Sequence, residues 1–282
     1  MPSNQLNGFA RYLDSKWWTL ERFGLTPTKL MRRVVNRNEP KILCVCVPKS
    51  GTHMLERALC LHPKLYRRLV RTVHDGNMTG HRELTNLLAA LKPGQVIVSH
   101  LHFTRQRLET VRRLGIKLVF MIRDPRDVAI ASYAYIRNND KHYLHGLFAY
   151  EADMESCLRM TILGHPPSNY PSIAERLAKF VGWFNKDSLV IRFEDLVGSQ
   201  GGADNERQLR ALISLYNHTG IEMEEKELEQ LSTRIFSEVS PTFRRGQISV
   251  WKTEMSDDIK ELYREVAGET LIQYGYEVDE DW

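Results

Sequence analysis

Pro48-Lys49-Ser50-Gly51-Thr52-His53 stands between an apolar run, Lys41–Val47 (KILCVCV), and a helical pattern, MLERALCL. A strand that runs directly into a helix gathers backbone N–H groups and the positive end of the helix dipole at one spot, where phosphate or sulfate binds. Gly51 permits close backbone approach, Ser50 and Thr52 offer hydroxyls, and Lys49 brings a cation that can follow charge developing on a bridging oxygen. The loop is not a Walker A motif, whose lysine follows the second of two glycines; here Lys49 precedes the only glycine, which removes the main support for an ATPase or kinase. Taken alone, the loop reads equally well as an ordinary βα turn.

Two further cationic segments change that balance. The run Lys117–Ile122 (KLVFMI) ends at Arg123-Asp124-Pro125-Arg126-Asp127 and enters the helical pattern VAIASYAYI. An arginine at the carboxyl end of a parallel strand lies on the side where open α/β sheets bind ligands. Far downstream, Phe243-Arg244-Arg245-Gly246-Gln247-Ile248-Ser249-Val250-Trp251-Lys252 adds a second basic loop with a glycine hinge. Singly, each is a solvated surface feature; together they describe a pocket for a ligand carrying several phosphates, because arginine forks match phosphate oxygens. Asp124, Asp127, Glu194 and Asp195 fit turn and helix-terminal roles, and no metal-ligand constellation stands out.

The elements that must position these groups are legible in outline. Lys41–Val47, Gln95–Val98, Lys117–Ile122 and Ser188–Phe193 are short, nearly continuous apolar runs, as expected of strands covered on both faces. Helical stretches are expected over Arg82–Leu91, Arg105–Leu114, Arg126–Arg137, Ala174–Asn185, Glu206–Tyr216 and Asp257–Gln273. Strands alternating with helices of this length predict an α/β fold with a central parallel β-sheet flanked by helices. With 282 residues, 42% hydrophobic and 26% charged, the chain can bury a full core without staples. A net charge of +4, dispersed along the chain, does not call for nucleic acid. Cys44, Cys46, Cys60 and Cys157 have no ligand spacing and read as small buried hydrophobes of a reducing compartment. No apolar run reaches membrane length and the N-terminus has no signal-peptide core, so the expectation is a cytoplasmic protein without membrane attachment. A single domain is expected over 1–282, with residues 1–40, including Trp17–Trp18, as a helical extension packing on it.

The ordered set of motifs resembles the sulfotransferases that use 3′-phosphoadenosine 5′-phosphosulfate (PAPS). That family's first loop reads P-K-S-G-T-T-W against PKSGTHM here, and its second motif R-N-P-K-D-V-A-V-S against RDPRDVAIAS. An aromatic-Glu-Asp after a later strand is matched by Phe193-Glu194-Asp195. The last motif, R-K-G-x-x-G-D-W-K, keeps its spacing from Arg244-Arg245-Gly246 to Trp251-Lys252. The resemblance runs in family order over most of the chain and implies the P-loop-like sulfotransferase architecture. It implies PAPS as co-substrate, its desulfated form PAP as product, and no metal. The family's proton-accepting histidine follows the strand between the first two motifs, and His100 in Val98-Ser99-His100-Leu101 holds that place. His102 is its rival and should point the other way if the strand continues; His53 is a third choice.

The roles carried over are specific. His100 would take the acceptor's proton and Lys49 would stabilise the leaving phosphate oxygen. Lys49, Ser50, Gly51 and Thr52 would hold the donor's 5′ end, with His53, Met54 and Phe193 also among the cofactor-binding residues, Met54 at the adenine. Arg123, Ser132, Arg244, Arg245 and Gly246 would grip the 3′-phosphate. Departures are visible: Met54 stands for the adenine-stacking tryptophan, His53 for a threonine, and Ala131 for the family serine. Ser132, one residue later, reaches the phosphate only if the helix shifts by about 100°. Tyr133, Tyr135, His142, Tyr143, His145 and Tyr150, mixed with acidic residues, point to a polar or cationic small-molecule acceptor, a natural product sulfated on a hydroxyl or amine. The alternatives are a nucleotide-binding protein of the same fold without transfer activity, and a P-loop-type kinase. The sequence does not report oligomeric state.

Overall fold

Strands form where β-branched and apolar residues run on with both faces to bury, and the computed structural model finds them at β1 (Ile42–Cys46), β2 (Tyr66–Arg67), β3 (Val73–His74), β4 (Gln95–His100), β5 (Lys117–Ile122) and β6 (Ser188–Arg192). The structure describes residues 8–35, 38–151, 153–237, 246–279 and 281–282. All pairings within the sheet are parallel, in the order β2-β4-β1-β5-β6, with β3 also on β4. Register sets Val45 of β1 beside Ser99 of β4 and Phe120 of β5, so three strands end side by side. The expected fold class is the observed one. Strand β4 runs on past the expected Val98 to His100. The two-residue strands β2 and β3 are too short to show a period and were not expected.

Helices cover both faces. They are α1 (Gly8–Arg22), α2 (Pro27–Val35), α3 (Thr52–Cys60), α4 (His81–Ala89), α5 (Arg105–Arg113), α6 (Pro125–Arg137), α7 (His145–Tyr150), α8 (Met154–Leu163), α9 (Ile173–Ala178), α10 (Phe193–Leu196), α11 (Asn205–Thr219), α12 (Glu225–Ser232), α13 (Trp251–Glu254) and α14 (Asp257–Gln273). The helix expected over Ala174–Asn185 stops at α9, and a single 3₁₀ turn follows at Val181–Trp183. It breaks because the Lys179 carbonyl accepts the Phe103 N–H at 2.7 Å and Gly182 packs directly on the Phe103 ring.

Side-chain alternation divides the core in two. Leu43, Val45, Leu118, Phe120 and Ile122 face one layer with α6, α8 and α14. Ile42, Cys44, Cys46, Val119 and Met121 face the other with α3 and α11. Each central strand therefore has no polar face, which is why the runs read as continuous rather than alternating. The four cysteines are free and buried.

The two ends of the chain are fastened by buried charge. Glu56 of α3, 1% exposed, binds Arg22 of α1 and Arg67 of β2, the latter at 2.6 Å. Lys29 of α2 donates to the Glu21 carbonyl at 2.9 Å, the Leu65 carbonyl at 2.7 Å and the Cys60 carbonyl. At the other end, the Arg126 guanidinium lies between the Trp251 ring at 3.8 Å and the Trp282 ring at 4.5 Å, paired to Glu277 at 2.7 Å. The sequence suggests a solvated acidic tail over Glu277–Trp282; instead its first and last residues clasp a buried arginine. Among the described residues no helix is long and apolar enough to cross a membrane.

Burial by itself would raise the Glu56 pKa, but His53, 3.8 Å away, and the Arg67 and Arg22 guanidiniums outweigh it and hold the carboxyl below its ordinary value. A carboxylate depressed in the folded state adds stability above its unfolded pKa and loses it as pH falls through the folded one. Glu56→Gln is therefore expected to cost about 3 kcal/mol in urea unfolding at neutral pH. The gap to wild type should close as pH falls below 4.5, the ordinary carboxyl value.

Candidate active site

The chemistry-bearing residues converge where β1, β4, β5 and β6 end. After β1 the chain turns through Lys49 at φ 71° and Gly51 at φ 95°, both left-handed, and enters α3. The turn is pinned rather than loose. The Val47 N–H donates to the Met121 carbonyl at 3.0 Å, and the Ser50 hydroxyl donates to the same oxygen at 3.1 Å. The Ser50 N–H is used on Val47 at 3.1 Å, so Ser50, fully buried, secures the loop and has no proton left to offer a phosphate. The first N–H groups of α3, at Thr52 and His53, have no intrahelical acceptor.

Phe193, the first residue of α10, joins the phosphate loop to the second motif. A β-carbon on Gly51 would lie 2.5 Å from its Cδ2, and the Arg123 guanidinium lies over the same ring at 4.5 Å. Arg123 donates to the Gln247 carbonyl at 2.8 Å and pairs with Asp127 at 3.3 Å. The other oxygen of Asp127 accepts the Trp251 N–H at 2.9 Å. Gly246 and its neighbours rest on residues 198–202: the Ile248 N–H donates to the Gly201 carbonyl at 3.1 Å, and any side chain at Gly201 would strike the Gly246 carbonyl. The segment Gly198–Gly202 thus seats the last motif. Arg244 and Arg245 lie outside the described residues. The Arg123 Nε is buried and has no hydrogen-bond partner among the described residues, which suits an anion supplied from outside.

On the other side of the loop is a cavity of about 360 Å³. Val47, Pro48, Val128, Ile173, Leu177 and Phe180 make most of its wall apolar, while His74, Asp75, His100 and His102 are among its polar lining. His100 closes β4. Its Nδ1 lies 2.7 Å from the Cys46 carbonyl, which can only accept, so Nδ1 carries the proton and Nε2 keeps a lone pair. Burial lowers its pKa; the Cys46 bond opposes that shift, and the charges of Lys49, His74 and His53 reinforce it.

The placement of the other expected residues differs from one to the next. His102 does not point away, because β4 ends at His100; it lines the same cavity, with Nδ1 3.3 Å from Asp75. His53 turns toward Glu56. Ser132 lines the cavity wall with Val128 and is not among the Arg123 contacts. Met54 packs, half-buried, on the same core layer as Trp18. Tyr143 and Tyr150 are largely exposed, at 69% and 92%, and do not line the cavity, whereas Tyr135 of the same segment lies against Lys49. Sequence reasoning passed over Asp75, which opens the 3₁₀ turn after the two-residue strand β3, and named Tyr135 only within the acceptor segment, not as the ring that lies against Lys49.

A family model described as "Sulfotransferase domain" matches residues 39–275. Mouse sulfotransferase SULT7A1, solved in complex with PAP, superposes with TM-score 0.60 at 17% identity over 86% of this chain and 88% of that one. Retinol dehydratase, solved with androsterone and inactive cofactor PAP, gives TM-score 0.55 at 16% identity over 86% and 84%. Its complex with retinol and PAP gives the same score and identity over 86% and 85%. No curated protein matches the chain.

The crowding of Gly51 by Phe193 and its left-handed φ yield one expectation. Gly51→Ala should lower stability by about 1–3 kcal/mol in chemical unfolding, because the alanine is both strained and overpacked.

Proposed function

The chain belongs to the sulfotransferase family and is an enzyme of that class, and on that premise we propose that it moves a sulfuryl group from PAPS to a hydroxyl on a small, mostly apolar acceptor seated in the cavity beside His100. The observation that carries the reading is the His100 tautomer. The Cys46 carbonyl fixes the ring with its Nε2 lone pair unspent, in the wall of a cavity that shares Pro48 with the loop after β1. A buried imidazole held neutral is a competent general base at physiological pH.

PAPS supplies an activated sulfuryl group; the residues supply position and charge. The N–H groups of Thr52 and His53 and the dipole of α3 receive the 5′ end. Arg123, with its unpaired Nε, receives the 3′-phosphate, aided by Arg244, Arg245 and Gly246. A nucleotide without that phosphate leaves the arginine unsatisfied, and this discriminates against ATP. Lys49 neutralises charge gathering on the bridging oxygen as the bond to sulfur breaks, and His100 Nε2 takes the acceptor's proton.

Two features shape the acceptor. The walls favour an apolar body such as a fused-ring phenol or alcohol. Lys179 and Arg176 at the wall, and Asp75 already paired with Arg107 at 2.6 Å, give a cationic acceptor no free carboxylate. This displaces the polar, cationic natural product suggested by the tyrosine- and histidine-rich segment.

His100→Ala should lower kcat for 2-naphthol by about 100-fold or more, with PAP affinity unchanged. The activity of the wild type should fall on the acid side only as pH drops below 6.5, the ordinary imidazole value, since burial holds His100 below it. Faster sulfation of an aminoglycoside than of 2-naphthol would contradict the acceptor assignment.

A further inference from the structure

Lys49 does not point into the loop it belongs to. Its Nζ lies 3.0 Å from the centroid of the Tyr135 ring, and no hydrogen bond or ion pair engages it among the described residues. Tyr135 stands on the last turn of α6 and is 37% exposed. Its ring is backed edge-to-face by His142 at 5.8 Å, and His142 in turn stacks on Tyr143 at 4.9 Å. The contact therefore joins the loop after β1 to the segment that follows α6. Burial pulls the Lys49 pKa down to about 7, so the ammonium is poorly hydrated there and the face of the ring is its main compensation. The charged or titratable groups that sense Lys49 are His100 and His142, and neither offers it an anion.

We propose that Tyr135 is a positioning residue that parks the Lys49 ammonium away from the phosphate loop until a polyanionic donor draws it off the ring. The inference rests on the donor-site reading above. A ring quadrupole is a weak partner compared with a phosphate oxygen, so the parked state yields to the donor and to little else. It also keeps the cation that stabilises the leaving oxygen out of the reaction path while the loop is empty. Parking has a thermodynamic signature. A protein that must leave a preferred state in order to bind shows an affinity reduced by the population of the competent state, and removing the preference restores it.

Calorimetric titration with PAP tests this without any acceptor. Tyr135→Leu should bind PAP about three- to tenfold more tightly than wild type, the range expected for losing a partly desolvated cation–π contact. Tyr135→Phe keeps the ring and should match wild type. In a Lys49→Ala background, Tyr135→Leu should change nothing, because there is no ammonium left to park. Equal or weaker binding by Tyr135→Leu, or the same gain with Lys49 absent, overturns the inference. Wild-type protein that ignores PAP contradicts the donor-site reading itself and takes the inference with it.

Discussion

A parallel sheet ends every strand on the same side, and the neighbouring positions of β4, β1, β5 and β6 are the constraint from which the rest of this molecule follows. Lys49 to Thr52 follow β1, His100 closes β4, Arg123 follows β5 and Phe193 follows β6. No residue of the site needs a long reach, because register has already brought the strand ends together. The helices then supply what the sheet cannot. The first turn of α3 offers free N–H groups, and the last turn of α6 offers the ring that receives Lys49.

What holds this edge in place is a small set of buried polar contacts. Ser50 and Val47 both spend their protons on the Met121 carbonyl, which fastens the phosphate loop to β5. Asp127 links Arg123 to the Trp251 backbone, and Arg126 is clasped by Trp251, Trp282 and Glu277. The second motif is thus two devices in one stretch. Arg123 keeps a buried Nε with no hydrogen-bond partner among the described residues, while Arg126, three residues on, anchors the C-terminal segment that carries the last motif. Buried charge of this kind is costly to break and so fixes a geometry more than it adds net stability.

Much of this was legible in the sequence, and the failures have physical causes. Lys117–Ile122 and Asp257–Gln273 were read to the residue because length, apolar content and flanking turn signals agree there. His100 was proposed from the family resemblance and Arg123 from its place after a recognisable apolar run, and both stand at strand ends in the fold. His102 was expected to point away only if the strand continued; β4 ends at His100, and His102 lines the cavity. Ser132 was offered for the 3′-phosphate as a stand-in one residue past the family serine, and α6 turns it into the cavity wall beside Val128. The C-terminal acidic run looked solvated because composition does not show which charges meet a partner. Glu277 reaches Arg126 across the fold, a contact no local pattern encodes.

The central claim is that one edge of the sheet holds a nucleotide with two separate phosphates, one on the loop after β1 and one at the end of β5. A crystal structure of the protein with PAP tests it most directly. The account predicts the 5′-phosphate within hydrogen-bond reach of the Thr52 and His53 N–H groups, the 3′-phosphate against Arg123, and Lys49 turned from Tyr135 toward the 5′ end. A nucleotide bound with its phosphates exchanged, or bound away from this edge with Arg123 untouched, would contradict it.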